Sequence, residues 1–322
     1  MTQTILIIGG AGYIGSHVQK QFLAEGYHVI VYDNLSSGHK CNLLPGAQFI
    51  HGDILNKEQL NHAMALNIDG VVHLAAKKAV GESMSQPELY AENNITGSVN
   101  ILNAMVKNEI RSIVFSSSAA VYGMPKYVPV DEMHPINPIN YYGYTKCAIE
   151  QNMEWFSKLG KLNFASLRYF NAVGYAADKS IIGKEENPQN LMPIVMEAAT
   201  GKRNKICVFG QDYDTPDGTC IRDYIHVSDL ATAHTLAMRY LFDHHKSLTI
   251  NLGTGKGVSV TELLHATERV IGKPLNYEYT QRRPGDPAVL MANAQKAHDL
   301  LGWSPQYTEI EDIIQTVWNL EI

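Results

Sequence analysis

The chain has 322 residues, 45% hydrophobic and 18% charged, with a formal net charge of −6. That is enough for one large or two modest domains of a soluble globular protein, and the acidic balance gives no footing for nucleic acid. The N-terminal apolar run is too short for a signal peptide and lacks its basic start, and no stretch reaches membrane-spanning length. The four cysteines, Cys41, Cys147, Cys207 and Cys220, form neither a Cys-x-x-Cys pair nor a zinc spacing. They predict reduced thiols, a cytoplasmic setting and no metal site.

In chain order, residues 5–8 are a short apolar run that reads as a strand buried on both faces. It leads into Gly9-Gly10-Ala11-Gly12-Tyr13-Ile14-Gly15, then a helical pattern carrying Val18, Phe22 and Leu23 and stopped by Gly26. A second strand at 28–32 ends at Asp33. Strand, glycine turn, helix, strand and acid make up a dinucleotide-binding unit. Gly9 allows the tight turn, Gly12 lets backbone approach a pyrophosphate, and Gly15 lets helix pack close on strand. The free N–H groups of the helix then face the phosphates. Asp33 would accept hydrogen bonds from a ribose diol and repel a 2′-phosphate, which predicts NAD rather than NADP. A structural glycine turn in some other α/β protein is the plain alternative.

The alternation continues with a strand at 48–51 leading to Gly52-Asp53-Ile54, a helix at 57–66 and a strand at 70–75. A long helical pattern follows at about 88–107 in spite of Gly97, and then a strand at 112–115. This order predicts an α/β fold with a doubly wound parallel sheet and right-handed crossovers. Ligands in such sheets sit at the carboxyl ends of the strands, where Asp53, Ala75 and Ser116-Ser117-Ser118 fall.

Tyr142 and Lys146 are four residues apart, so a helix would place them on one face, with Asn140 as its cap. An ammonium there would stabilise the phenolate and lower a pKa normally near ~10, giving a general base for an alcohol. An amphipathic helix with a surface lysine is the alternative. Ser118, at a strand end, could bond the same substrate oxygen and complete a Ser, Tyr, Lys triad. The proline-rich segment 124–140 reads as a surface loop.

From about residue 171 the pattern loosens into a smaller substrate-binding region. The expected division is 1–170 for the cofactor and 171–322 mainly for the substrate, with 223–252 returning to the first. Ser228 is expected to cap a helix at 230–240, and 248–252 reads as a strand. Ser259-Val-Thr-Glu262 and Thr308-Glu-Ile-Glu311 both read as capping boxes.

Several longer stretches are more particular. They are GGAGYIGSH from Gly9, Asp33-Asn34-Leu35, KAVGES from Lys78, the run from Ser116 to Gly123, and RYFNAVG from Arg168. NLMP from Asn190, FGQDY from Phe209, RDYIHVSD from Arg222, Asn251-Leu252-Gly253 and RRPGD from Arg282 complete the set, which spans nearly the whole chain. With these stretches the sequence resembles the UDP-glucose (UDP-galactose) 4-epimerases of the extended short-chain dehydrogenase/reductase family. The resemblance implies a Rossmann-type sheet domain, a smaller C-terminal α/β region, bound NAD, a UDP-sugar substrate and a homodimer. The dimer would pack the 88–107 helix and the Tyr142 helix as a four-helix bundle.

Carried over by position, Gly9, Gly12, Tyr13, Ile14, Gly15, Asp33 and Asn34 would bind NAD. Asp53 and Ile54 would contact its adenine, and Leu74, Ala75, Lys78 and Asn93 would line the cleft. Lys146 and Phe170 would lie at the nicotinamide end, with Ser118 and Tyr142 facing the sugar. Asn171, Asn190 and Leu191 would touch substrate, and Cys207, Val208 and Phe209 would form the uracil site. Arg222 and Arg283 would meet the pyrophosphate bidentately, and Asp286 a ribose hydroxyl. Each has a plainer use: Asp53 could cap a helix, Lys78 could be solvated, Phe209 could be core, and Arg222-Asp223 a structural ion pair.

Two departures stand out. Ala120 replaces a threonine common in relatives, and Leu290 replaces a large tyrosine that often closes the sugar pocket, which suggests room for an N-acetyl group. The implied reaction has Tyr142 take the proton of the sugar 4-hydroxyl while the C4 hydride passes to NAD. The 4-keto sugar then turns and is reduced on its other face. A sugar-nucleotide 4,6-dehydratase is the nearest rival, but it needs an acid pair where this chain has Ala119-Ala120. The same stretches could also belong to another sugar-nucleotide epimerase or to a non-catalytic NAD-sensing protein.

Overall fold

The computed structural model describes residues 2–184, 188–283 and 285–322, so Pro284 of the RRPGD stretch lies outside the described residues. Its first half alternates as expected. β1 (Thr4–Ile8), α1 (Tyr13–Ala24), β2 (His28–Asp33), β3 (Ala47–His51), α2 (Lys57–Met64) and β4 (Gly70–His73) lead to two short helices, α3 (Val80–Ser85) and α4 (Pro87–Tyr90). A widened turn with i→i+5 bonding spans 91–96 and continues into α5 (Gly97–Lys107). The expected 88–107 helix is therefore one rod with a π segment. β5 (Ser112–Ser118) runs three residues further than the sequence pattern indicates, and α6 (Tyr141–Lys158) and β6 (Asn163–Tyr169) follow.

The second half contains β7 (Asn171–Val173), α7 (Leu191–Ala199), β8 (Ile206–Phe209), β9 (Ile221–His226), α8 (Val227–His244) and β10 (Leu248–Leu252). It ends with β11 (Gly257–Ser259), α9 (Val260–Ile271), β12 (Tyr277–Thr280), β13 (Val289–Leu290), α10 (Gln295–Leu301) and α11 (Ile310–Trp318).

Seven parallel strands form the central sheet in the order β10-β6-β5-β4-β1-β2-β3. Alternation along β1 sends Ile5 and Ile7 to a core shared with α1 and α8, and Leu6 and Ile8 to a core shared with α2, α5 and α6. Both faces are covered, which is why the strands read as continuous apolar runs. A separate core lies between β8, β9, α7, α9 and α11. There β9 pairs with β11, β13 and β7, and β8 pairs with β12. β10 returns to the edge of the large sheet beside β6.

Local signals succeed where no distant partner competes. Asn140 caps α6 through Gly143 N–H at 2.8 Å, and the Ser259/Glu262 capping box is complete. Two expectations are corrected. α8 is capped by His226, whose Nδ1 accepts the Ser228 N–H at 3.1 Å, because α8 begins earlier than the Ser228 signal suggests. α11 has no side-chain cap, since the Thr308 hydroxyl turns instead to the Glu309 carboxylate at 3.2 Å. Segment 124–140 is largely exposed but pinned at Val130, which bonds the backbones of Met291 and Asn293 at 2.8 Å each.

Candidate active site

The glycine turn sits at the carboxyl end of β1. Gly9 has φ +84°, and a Cβ there would stand 2.5 Å from the Ala75 backbone nitrogen, so only glycine fits. Leu74 and Ala75 complete this crossing by donating their N–H groups to the Ile8 carbonyl at 2.8 and 3.1 Å. Gly12 precedes α1 without any side-chain cap, and a Cβ on it would meet nothing closer than the Gly9 oxygen at 3.3 Å. Backbone N–H groups are thus presented outward, the arrangement that receives phosphate. A Cβ on Gly15 would strike the Gly9 and Gly10 backbone. Ile14 packs on the sheet core, and the Tyr13 hydroxyl donates to the Gly174 carbonyl.

Asp33 ends β2, accepting Ala11 N–H at 3.0 Å and Leu35 N–H at 2.8 Å. Burial pushes its carboxyl up from the usual range while these bonds oppose it. Asn34 donates to Asp53 at 2.8 Å, and the other Asp53 oxygen accepts Leu55 N–H at 2.8 Å. Asp53 thus holds a turn, while the cap of α2 is Asn56. Ile54 is buried against α5 at Gly97, and Asn93 donates to the side chain of Asn94. Lys78 lies in the loop after β4.

The triad residues come together at the end of β5. Ser118 is its last residue, and its hydroxyl lies near enough to the Tyr142 phenol to favour its ionised form. Gly143 makes this approach possible, since a Cβ there would lie 2.5 Å from the Ala120 carbonyl oxygen. One turn along α6, Lys146 is buried, its Nζ donating to the Ser116 carbonyl at 2.6 Å. It lies 4.8 Å from the Phe115 ring centre and 5.8 Å from that of Tyr142.

The electrostatics differ from expectation. Burial pushes the Tyr142 phenol up to about 12, with the nearby Ser118 hydroxyl pulling the other way. Burial also brings Lys146 down to about 7, opposed by Glu150. Both charged forms pay for desolvation. In the chain by itself burial therefore works against the ammonium and the phenolate alike. The i, i+4 spacing supplies the geometry of a base, and lowering its pKa requires a further positive charge.

Sequence reasoning missed the support behind this pair. Glu150, one more turn along α6, holds Arg168 at 2.6 and 3.0 Å and Ser117 at 2.6 Å. Arg168 continues to the Tyr122 hydroxyl at 3.1 Å, and Tyr122 donates to Asn251 at 2.6 Å. The available signal was the third step of the 142, 146, 150 stripe.

The residues expected to hold the nucleotide gather on the second lobe. The Arg283 guanidinium stacks 3.9 Å from the Phe209 ring centre. Arg222 pairs with Asp286 at 2.8 Å and, through its other nitrogen, with the Ile221 carbonyl. Cys207 is exposed on β8, whereas the Val208 side chain is buried in the core, leaving its backbone as the only contact it could offer. Asn171 opens β7, exposed Asn190 immediately precedes α7, and half-buried Leu191 begins it. Leu290 pairs in register with Arg222 and packs against the small core that contains Phe170 and Tyr122, linking the nucleotide cluster to the end of β6.

A model of the NAD dependent epimerase/dehydratase family matches residues 5–253. The chain belongs to this family. It is 45% identical to the UDP-glucose 4-epimerase of Halalkalibacterium halodurans, over 98% of this chain and 94% of that one. The crystal structure of UDP-glucose 4-epimerase from Brucella ovis in complex with NAD superposes with a TM-score of 0.95 at 40% identity, covering 98% and 97% of the two chains. The enzyme from Stenotrophomonas maltophila, solved with NAD and formylated UDP-arabinopyranose, gives 0.96 at 39% identity, covering 99% and 98%. The uncapped α1, the open approach at Gly12 and the acid ending β2 fit the family's cofactor, NAD. Among the described residues no helix is long and apolar enough to cross a membrane.

Proposed function

We propose that the chain is an NAD-dependent UDP-glucose 4-epimerase, interconverting UDP-galactose and UDP-glucose with Tyr142 as base at the sugar 4-hydroxyl. The observation that carries this reading is the meeting of Ser118, Tyr142 and buried Lys146, whose Nζ donates to the Ser116 carbonyl at 2.6 Å, at the carboxyl edge of the sheet that carries the glycine turn. When bound, NAD+ supplies a hydride acceptor for C4, the donor that returns the hydride, and a positive charge beside the phenol.

The chain's own residues do the rest. Tyr142 removes the hydroxyl proton, with Ser118 sharing it, and returns it to the new face of the ring. Lys146 holds its charge near the phenol and keeps the cofactor's ribose in place. Arg222, Arg283, Phe209 and Asp286 grip the nucleotide. The sugar end meets Phe170 and Leu290, apolar groups that make no directional bonds, which suits a ring that must turn over between two half-reactions. A dehydratase would need a carboxylate after Ser118, and Ala119 and Ala120 offer none.

In this reading residues 1–170 with 223–252 serve the cofactor and the rest of 171–322 the sugar nucleotide. Leu290 leaves room for the N-acetylhexosamine forms. Two copies pair through the 88–107 rod and α6, where Trp155 and Leu159, the residue just after the helix, are 63% and 66% exposed. The free cysteines suit a cytoplasmic enzyme.

The test is to incubate purified protein with UDP-galactose and no added cofactor, then look for UDP-glucose. Conversion is expected, with NAD carried through purification. No conversion even after adding NAD would overturn the assignment and turn attention to other sugar nucleotides.

A further inference from the structure

Three N–H groups at the start of α6 come before its first internal bond, which runs from Tyr144 N–H to the Asn140 carbonyl at 3.1 Å. The helix's own cap meets only the third of them, Gly143 N–H, at Asn140 Oδ1. The other two go to α3. Tyr142 N–H donates to the Ser83 hydroxyl oxygen at 3.1 Å, and Tyr141 N–H to the Met84 sulfur at 3.3 Å. Met84 is exposed, but Ser83 is completely buried. The single Ser83 hydroxyl proton goes to the Val80 carbonyl at 2.7 Å, so Ser83 meets Tyr142 as an acceptor.

α3 lies within the KAVGES stretch, which starts at Lys78 in the loop after β4. Its own place is fixed. Ser83 N–H donates to the Ala79 carbonyl at 3.0 Å, and the buried Tyr90 hydroxyl lies 2.8 Å from that carbonyl and 2.9 Å from the Glu82 carboxylate. On the other side of the same turn of α6, Gly143 lets the helix settle against the Ala120 carbonyl just past β5. Tyr142 is thus held between the end of β5 and α3, and Ser83 ties its backbone to the segment led by Lys78. A cap and water satisfy a helix start that faces solvent, whereas a buried acceptor brought from another helix also fixes where that start lies.

We propose that Ser83 is a positioning residue for the epimerase reaction, its hydroxyl oxygen setting the place of Tyr142 relative to the cofactor-lining segment that begins at Lys78. The proposal rests on the epimerase reading. Ser83 acts on the backbone of the base and adds no charge near its phenol, so its loss should lower the rate without moving the pH dependence. Its hydrogen bonds stay within α3 and the start of α6, away from the nucleotide cluster of Arg222, Arg283 and Phe209, so substrate affinity should be spared.

The experiment compares wild type, Ser83→Ala and Ser83→Cys, each loaded with NAD, with turnover counted per folded, NAD-containing active site between pH 6 and 10. Alanine removes the acceptor and is the best helix former, so α3 itself is not weakened. Cysteine keeps the shape and leaves only a weak acceptor. A misplacement of about 1 Å can cost ~100-fold in rate, and Asn140 and Lys146 still restrain α6, so Ser83→Ala should lose about tenfold in kcat, with KM for UDP-galactose within about threefold. Ser83→Cys should fall between the two, about threefold below wild type, and decides alone if Ser83→Ala fails to fold. The acid limb of the kcat–pH profile should stay in place in both. Wild-type kcat in the folded variants, even with a lowered Tm, would reduce Ser83 to a structural residue and overturn the proposal. A rise in KM at constant kcat, or a limb displaced by a pH unit or more, would do the same. An inert wild type would instead remove the epimerase reading, and this proposal with it.

Discussion

Replacing Lys146 by methionine removes the one buried ammonium beside Tyr142 while keeping most of its volume. Its Nζ lies 5.8 Å from the phenol ring centre. At an effective dielectric of about 20, a unit charge at that distance is worth about 3 kcal/mol to a phenolate, or about two pKa units. In the NAD-loaded enzyme the acid limb of the kcat–pH profile should therefore move up by about two units in Lys146→Met, with kcat near pH 7 falling about 100-fold. The sign follows from the base being needed unprotonated: losing a neighbouring cation raises its pKa, so activity recovers as the pH rises. The assay is UDP-galactose conversion between pH 6 and 10, with NAD content measured on the same samples. A loss of kcat with an unshifted limb would refute the electrostatic role and leave Lys146 as a cofactor clamp.

Gly9→Ala forces a Cβ against the Ala75 backbone at φ +84°. Strain and overpacking of this kind cost about 1–3 kcal/mol each, so NAD should be lost on purification, seen as a fallen nucleotide content in the denatured extract. Leu290→Tyr should suppress conversion of UDP-N-acetylgalactosamine by at least about tenfold relative to UDP-galactose, the scale of a 1–3 kcal/mol steric penalty. An unchanged ratio would remove Leu290 from the pocket. Burial holds four histidines low: His17 and His234 at about 4, His73 and His226 at about 3. The unfolded chain binds their protons first, so stability is full above about pH 6.5 and falls with pH below it, by up to about 1.4 kcal/mol per unit per histidine. Urea midpoints should be level from pH 8 to 7 and drop steeply from 6.5 to 5, and a flat course would contradict it.

The glycine turn was legible because its constraints are local: a tight turn, a close helix and a strand-ending acid each require a particular residue at a fixed offset. The Ser118, Tyr142 and Lys146 group was legible for a similar reason, since a helix fixes one spacing and a strand end the other. Glu150 was not, because a carboxylate on an amphipathic helix reads as solvated until its partner is known. That partner, Arg168, lies on β6 opposite Ser117 of β5, a register set only by the assembled sheet. The depth at which Tyr142 lies was equally invisible, and depth decides the sign of its pKa shift. His226 capped α8 in place of Ser228 because its ring is fixed from elsewhere, stacked on Tyr307 at 3.8 Å and bonded to Thr316 at 3.1 Å.

The return of β10 to the sheet also limits how the chain could be divided. A fragment ending at 170 would leave β6 as a bare edge, its N–H and carbonyl groups open to pairing with other chains. It would also lack α8, whose buried Leu230, Ala233, Ala237 and Leu241 share the core of α1. The half that carries the glycine turn is thus completed by sequence lying beyond β7, α7 and β8. It is not a module that can be expressed, shuffled or fused alone, and during synthesis it stays unfinished until the ribosome has passed residue 252.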